Sequence, residues 1–410
     1  MKQILIGGGQ GTLDTSTSYG PISGAPLWAN TGVGHELSGL ATESCTLSNF
    51  RMKLTTAPGS GKSRTFTVYK NNASTDLEIV ISDTETEGSD TINTVSLVAG
   101  DRVCLRHVPS NSPTSSTTEF YSMELDTETN NTSIIMGSST NLNSSSTRYL
   151  TLFSKRSSAT TGQAYATCYF PCAGTLKNFY VETYGSPGTS KTYTFTIYRN
   201  NGSTSLEVAI TGPASTGNNT SDTVSISKGD YIHIRCDPSS YPAATTCTWG
   251  ITFEADNDGE IPVCAAYSSD YPRNDATEYN YLVPSTGYVD TFQFTSTESY
   301  RYQYGLNAII KNLWVYFNNS PGAGKYYRIS LYNNEVEELH VLLEDYDDQG
   351  EDTNSFQVTT WDDNLYYKIV PYGTPTSYTY PKISFIQYDA DAVTGPNALS
   401  TKRYIRTGIY

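Results

Sequence analysis

The sequence predicts an all-β protein: three tandem antiparallel β-sandwich modules followed by a C-terminal arm. Three observations predict it: a composition made for short strands, a repeat that shifts by 129 residues between the first two copies, and apolar residues alternating with period two. Of 410 residues 33 are Tyr and 32 are Gly, and only 16% are charged. With Ser, Thr and Asn filling much of the rest, this suits strands joined by polar turns. Helices would want Ala, Leu, Glu and Lys.

The repeat is read directly. Asn49-Phe50, Pro58-Gly59, Lys62, Thr65-Phe66-Thr67, Tyr69 and Asn71-Asn72 recur as Asn178-Phe179, Pro187-Gly188, Lys191, Thr194-Phe195-Thr196, Tyr198 and Asn200-Asn201. Gly100-Asp101 recurs as Gly229-Asp230, and Pro109 and Pro113 as Pro238 and Pro242. Backwards, the same shift sets Leu5-Ile6 against Ile134-Ile135 and Leu13 against Leu142. A third, drifted copy holds Asn312-Leu313, Pro321-Gly322, Lys325, Tyr332 and Asn334, then Asp363, Pro371 and Pro375; Asp362 stands where the glycine of Gly-Asp should be. The modules are therefore residues 1–129, 130–258 and 259–390, with an arm at 391–410.

Within each copy the alternation marks half-buried strands. Phe66 and Val68 share a face, as do Phe195 and Ile197, and Tyr327, Ile329 and Leu331. Leu77, Ile79 and Ile81 follow in the first copy, and Leu206, Val208 and Ile210 in the second. Asn-Asn, Pro-Gly and Gly-Asp break the runs at turn spacing. Many short strands in about 110–130 residues point to a two-sheet, jelly-roll-like sandwich.

A net charge of −15 disfavours nucleic acid as a partner. No apolar run approaches the roughly 20 residues that span a bilayer. The start, MKQILIGGGQGT, lacks the apolar stretch of a signal peptide, so synthesis in a cytoplasm is expected. Seven cysteines, an odd number without matching positions across the copies, read as small buried residues and not as a disulfide framework.

The chemical motifs reduce to turns. Pro58-Gly59-Ser60-Gly61-Lys62-Ser63 looks like the end of a phosphate-binding loop, but residue 56 is Thr where that pattern needs Gly. A strand, not a helix, is expected to follow it. Gly-Asp reads as a turn, with Gly supplying positive φ and Asp bonding nearby amides. His107 and His233 occupy non-equivalent strand positions, and no nucleophile elbow accompanies them. Cys168 and Cys172, considered with Cys236, Cys247 and His233 for zinc, would stand about 13 Å apart on one strand face, too far for one ion. The densest oxygen cluster, Asp345, Asp347, Asp348, Glu351 and Asp352 beside Glu344, is a weak calcium candidate without EF-hand spacing; a solvated loop is the alternative. No catalytic residue and no cofactor is expected. The arm ends in Lys402, Arg403, Tyr404, Ile405, Arg406, Ile409 and Tyr410, basic and apolar in an acidic protein. It suits either a strand folding back onto module three or an arm adding a strand to a neighbouring subunit.

The module pattern, Thr-Leu-x-Asn-Phe, Pro-Gly-x-x-Lys, Thr-Phe-Thr-x-Tyr-x-Asn-Asn, Gly-Asp and Pro-Ser-x-x-Pro, resembles modules in virion proteins of tailed phages and related viruses. The resemblance covers the three cores and not the arm. It implies a non-enzymatic structural role on the particle, as capsid decoration, head fibre or tail component, with the major capsid protein or other virion proteins as partners. Self-association and a host glycan are further partners to weigh. The alternative is a glycan-binding array on a tail fibre or cell-surface adhesin, suggested by Tyr184, Tyr241 and Trp314 near turns. The repeat alone leaves open whether the three modules pack as a trimer within one chain.

Overall fold

The computed structural model describes residues 1–7, 12–13, 15–24, 28, 37–153, 157–158, 160–268, 280–282, 287–289, 302–303, 308–358, 364–375 and 381–388. The chain is all-β apart from one helical turn, Gln163–Ala166, among these residues.

Module one contains β1 (Lys2–Gly7), β2 (Thr12–Leu13), β3 (Ser18–Gly20), β4 (Gly39–Leu40), β5 (Cys45–Leu54), β6 (Gly59–Lys70), β7 (Ala73–Asp83), β8 (Glu87–Asp90), β9 (Val95–Leu97), β10 (Arg102–Ser110) and β11 (Ser116–Thr127). One sheet runs β1-β11-β5-β8 and the other β3-β10-β6-β7. Module two contains β12 (Thr132–Leu142), β13 (Arg148–Leu150), β14 (Ser157–Ser158), β15 (Cys168–Tyr169), β16 (Gly174–Thr183), β17 (Thr192–Arg199), β18 (Gly202–Thr211), β19 (Thr216–Asn219), β20 (Val224–Ile226), β21 (Tyr231–Ser239) and β22 (Thr245–Ala255). Its sheets repeat the order as β12-β22-β16-β19 and β13-β21-β17-β18. Module three contains β23 (Glu260–Ser268), β24 (Asn280–Leu282), β25 (Gly287–Val289), β26 (Tyr302–Gln303), β27 (Ala308–Phe317), β28 (Tyr326–Asn333), β29 (Val336–Glu344), β30 (Gln349–Val358), β31 (Asn364–Tyr372) and β32 (Pro381–Tyr388). Here the orders are β23-β32-β27-β30 and β24-β31-β28-β29. In all three the first strand pairs with the last; the strand that pairs with the last but one is β3 in module one, where β2 also joins β11, and the second strand in modules two and three. That is the nested hairpin of a jelly roll, antiparallel but for short parallel edge pairs such as β12–β14 and β23–β25.

Alternation places one strand face in each core. Phe66, Phe195 and Ile329 hold equivalent, fully buried places on β6, β17 and β28. The other face of the first strand goes elsewhere. Ile134 and Met136 of module two join the core of module one. Cys264 and Ile386 of module three join that of module two, and Ile4 and Ile6 of module one join that of module three. The three modules thus close head to tail into a ring within one chain.

The structure corrects one sequence alignment. Arg51 and Tyr180 are equivalent on β5 and β16, and they face Ser122 and Gly250. Those residues in turn face Ile6 and Met136. Ile6 therefore matches Met136 and not Ile135. The cause is a bulge in β11 between Thr118 and Phe120, one extra residue that the second copy lacks. A one-residue slip exchanges faces, so it decides which residues point at the neighbouring module.

Candidate functional site

The repeated motifs build turns. Gly59, Gly188 and Gly322 all have φ near +100° (99°, 102° and 96°), which explains the glycine of Pro-Gly. Lys191 N and Lys325 N donate back to Gly188 O and Gly322 O, and in module one the chain continues from Gly59 as β6, not as a helix. Asn71 and Asn72 have φ of 51° and 67°, and Asn200 and Asn201 repeat this, as two-residue hairpins with both central residues left-handed. In module three Glu335 takes the second position at φ 67°. Asp101 completes this turn: Asn71 Nδ2 donates to its Oδ1 at 2.6 Å and Val98 N to its Oδ2 at 2.8 Å. Asp230 accepts from Asn200 and Ser227 in the same way. Burial works to raise the Asp101 carboxyl, but hydrogen bonds from Lys70, Val98 and Asn71 outweigh it and hold it below the usual range. Asp362 and Asp363 lie outside the described residues.

The five calcium candidates have separate duties. The Asp345 carboxylate accepts from Gly324 N at 2.6 Å, as Asp83 does from Gly61 N. Asp352 caps Asn354 N and accepts from His340 N; Asp90 does the same for Asn93 N and Glu78 N. Module two uses the neutral Asn219 there, so a carboxylate charge is not what the position requires. Glu351 pairs with Lys228 across the seam to module two. Asp347 N and Asp348 O make main-chain turn bonds to Glu344 O and Phe317 N. Among the described residues no group of three or more His, Cys, Asp or Glu could hold a metal ion.

His107 and His233 are fully buried. His107 Nε2 faces Arg64 at 2.9 Å and its Nδ1 faces Ser18 Oγ at 3.0 Å. Because guanidinium only donates, Nδ1 carries the proton. Burial, reinforced by Arg64, lowers His107 to about 3. His233 packs between Tyr149 and Tyr198, with both ring nitrogens unpartnered, and burial lowers it to about 4. All seven cysteines are free and buried. Burial raises every thiol, Cys45 to about 12 and Cys104 to about 11, so these two are protonated and poor nucleophiles at neutral pH.

What the chain does bring together is the seam between modules. Thr248 of module two donates to Ser38 O of module one at 2.6 Å. At the equivalent place Lys382 of module three donates to Thr167 O and Oγ1 of module two, both at 2.8 Å. Burial lowers that lysine to about 7. Arg102 reaches Glu182 at 2.6 Å in the first seam. The second has Tyr169 stacked on Tyr316, 4.6 Å between centroids, beside Trp314. The third is sealed by Gln387, whose amide accepts from Ile4 N and donates to Lys2 O. Where the first strands meet, Ile4, Ile6, Ile134, Met136, Ile261 and Val263 line a cavity of about 30 Å³, room for about one water.

Tyr184 and Tyr241 are exposed, at 55% and 73%. Trp314 is a correction: it is 8% exposed, within β27, because the seam to module two covers it. The arm residues Lys402, Arg403, Tyr404, Ile405, Arg406, Ile409 and Tyr410 lie outside the described residues. No family model and no curated protein matches the chain.

Proposed function

We propose that this chain is a non-enzymatic structural component of a virus particle, a capsid decoration or head-fibre protein held by protein–protein contacts. The observation that carries the reading is the closed ring of three jelly rolls, in which the repeated motifs build turns and the buried polar groups serve seams and cores. Such a body presents a large, pre-formed surface in three near-equivalent copies, the geometry that suits a symmetric lattice. The major capsid protein is the partner this reading favours, and the virion its location. The test is mass spectrometry of purified particles together with cryo-electron microscopy. Density for the ring at regular positions on the head is expected. Particles that lack the chain overturn the reading.

Exposed Tyr184 and Tyr241 favour a second reading, a glycan-binding array, since flat aromatic rings offer stacking area with a polar tip. A glycan array with wild type and Tyr184→Ala/Tyr241→Ala separates the two. Saturable binding lost in the variant supports it.

A further inference from the structure

The outer sheet of module three departs from its counterparts at one corner. Tyr326, at the start of β28, lies opposite Tyr372, at the end of β31. Their rings stack with centroids 4.6 Å apart and planes 12° apart. Tyr372 is 56% exposed; Leu342, on β29 across β28, and Tyr346, in the turn after β29, are 41% and 77% exposed. In the same register module two holds Thr192 and Ser239, and module one Ser63 and Ser110. The other two sandwiches fold with small hydroxyl residues here, so folding does not require the rings. Glu344, in register with Tyr326, and the turn that follows give the corner an acidic rim.

We propose that this corner receives the C-terminal segment, residues 398–410, of a second copy of this chain. That segment carries Lys402, Arg403 and Arg406 in a protein of net charge −15, with Tyr404, Ile405, Ile409 and Tyr410 between them. Its chemistry is the complement of the corner: guanidinium groups lie well on tyrosine faces, the rim carboxylates balance the cations, and the apolar residues cover Leu342 and the rings. Direction points to a second copy. The corner adjoins Phe317, whose N donates to Asp348 O in the acidic turn, and Phe317 is paired with Pro381. From Pro381, β32 runs about 23 Å away, ending at Tyr388 beside Glu260 and Ile309. The chain thus leaves module three heading away from its own corner. Residues 389–402 span up to about 45 Å when extended, enough to reach a neighbour without reversing, whereas reaching the chain's own corner requires them to turn back along the roughly 23 Å of β32. Docking goes through side chains: midway along the free edge of β29, His340 N is already taken by Asp352 at 2.8 Å, which blunts that edge for strand addition.

The test is sedimentation equilibrium of the full chain, and it does not depend on where in a particle the protein sits. Concentration-dependent self-association, weakened at high salt, is expected. It should weaken at least tenfold in Tyr326→Thr/Tyr372→Ser and in Lys402→Glu/Arg403→Glu/Arg406→Glu, with circular dichroism unchanged in both. An equimolar mixture of the two variants should form a dimer, because one supplies an intact corner and the other an intact tail. A wild type that stays monomeric, as a tail folded onto its own module would give, overturns the proposal. So does association that survives either variant, or a mixture that stays monomeric.

Discussion

His233 is buried with no hydrogen-bond partner for either ring nitrogen among the described residues, and that sets a testable pH dependence. An unfolded histidine titrates near 6.5, whereas this one is lowered to about 4 in the fold. Between those values the unfolded chain binds a proton that the folded chain refuses. Stability therefore falls as pH drops below about 6.5, by roughly 1.4 kcal/mol per unit for each such group. His107, lowered to about 3, adds the same slope over a longer range. His233→Phe keeps the packing against Tyr149 and Tyr198; it should stabilise the protein at pH 7 and lessen the fall of the denaturation midpoint between pH 6.5 and 4, leaving the share due to His107. An unchanged slope counts against this account. Glu335 is the other residue out of place, with φ 67° where the first two modules use Asn. Glu335→Asn should gain about 1 kcal/mol in urea denaturation, the scale of the left-handed penalty. Lys62→Ala, in the Pro-Gly turn, should change stability by less than about 0.5 kcal/mol and leave no lost nucleotide binding to detect.

At the scale of the strand, much was legible because period two and turn chemistry are local. Phe66, Phe195 and Ile329 are assigned to the core by alternation alone, and they are there. Phe195→Ala should cost about 3–5 kcal/mol by leaving a cavity in module two, measured by chemical denaturation. Other features depend on partners far along the chain. The repeated Asn of Asn-Phe lies within a strand, yet Asn49, Asn178 and Asn312 all have φ above 50° and sit at irregularities in β5, β16 and β27. The repetition was visible and the backbone was not. Gly7 and Gly137 are similar: a Cβ at either would come within 2.2 Å of Tyr121 or Trp249. Gly137→Val should lose about 1–3 kcal/mol by overpacking. In the acidic run at 344–352 the sequence shows charge density, but not the amides that Asp345 and Asp352 serve.

At the scale of the molecule, the ring closes only when β1 meets β32. Ile4 and Ile6 sit in the core of module three, and Gln387 seals that seam. Ile6→Asp should open the ring by burying an unpaired charge there. Small-angle scattering should then show the radius of gyration rising from the roughly 22 Å of a compact chain of this size, with the far-ultraviolet spectrum of the sandwiches retained. An unchanged radius sinks the idea that this seam holds the ring shut. The same closure sets a clock on the ribosome. The outward face of β1 is made at residues 4 and 6, but its cover, begun by Val263 of β23, is completed only with β32. At about 5–20 residues per second that apolar strip waits roughly 20–80 s, while modules one and two are already folding. During that interval a neighbouring nascent chain offers the same surface. Polysomes crowded with this message are thus where strand exchange between chains, and the oligomers it traps, should arise.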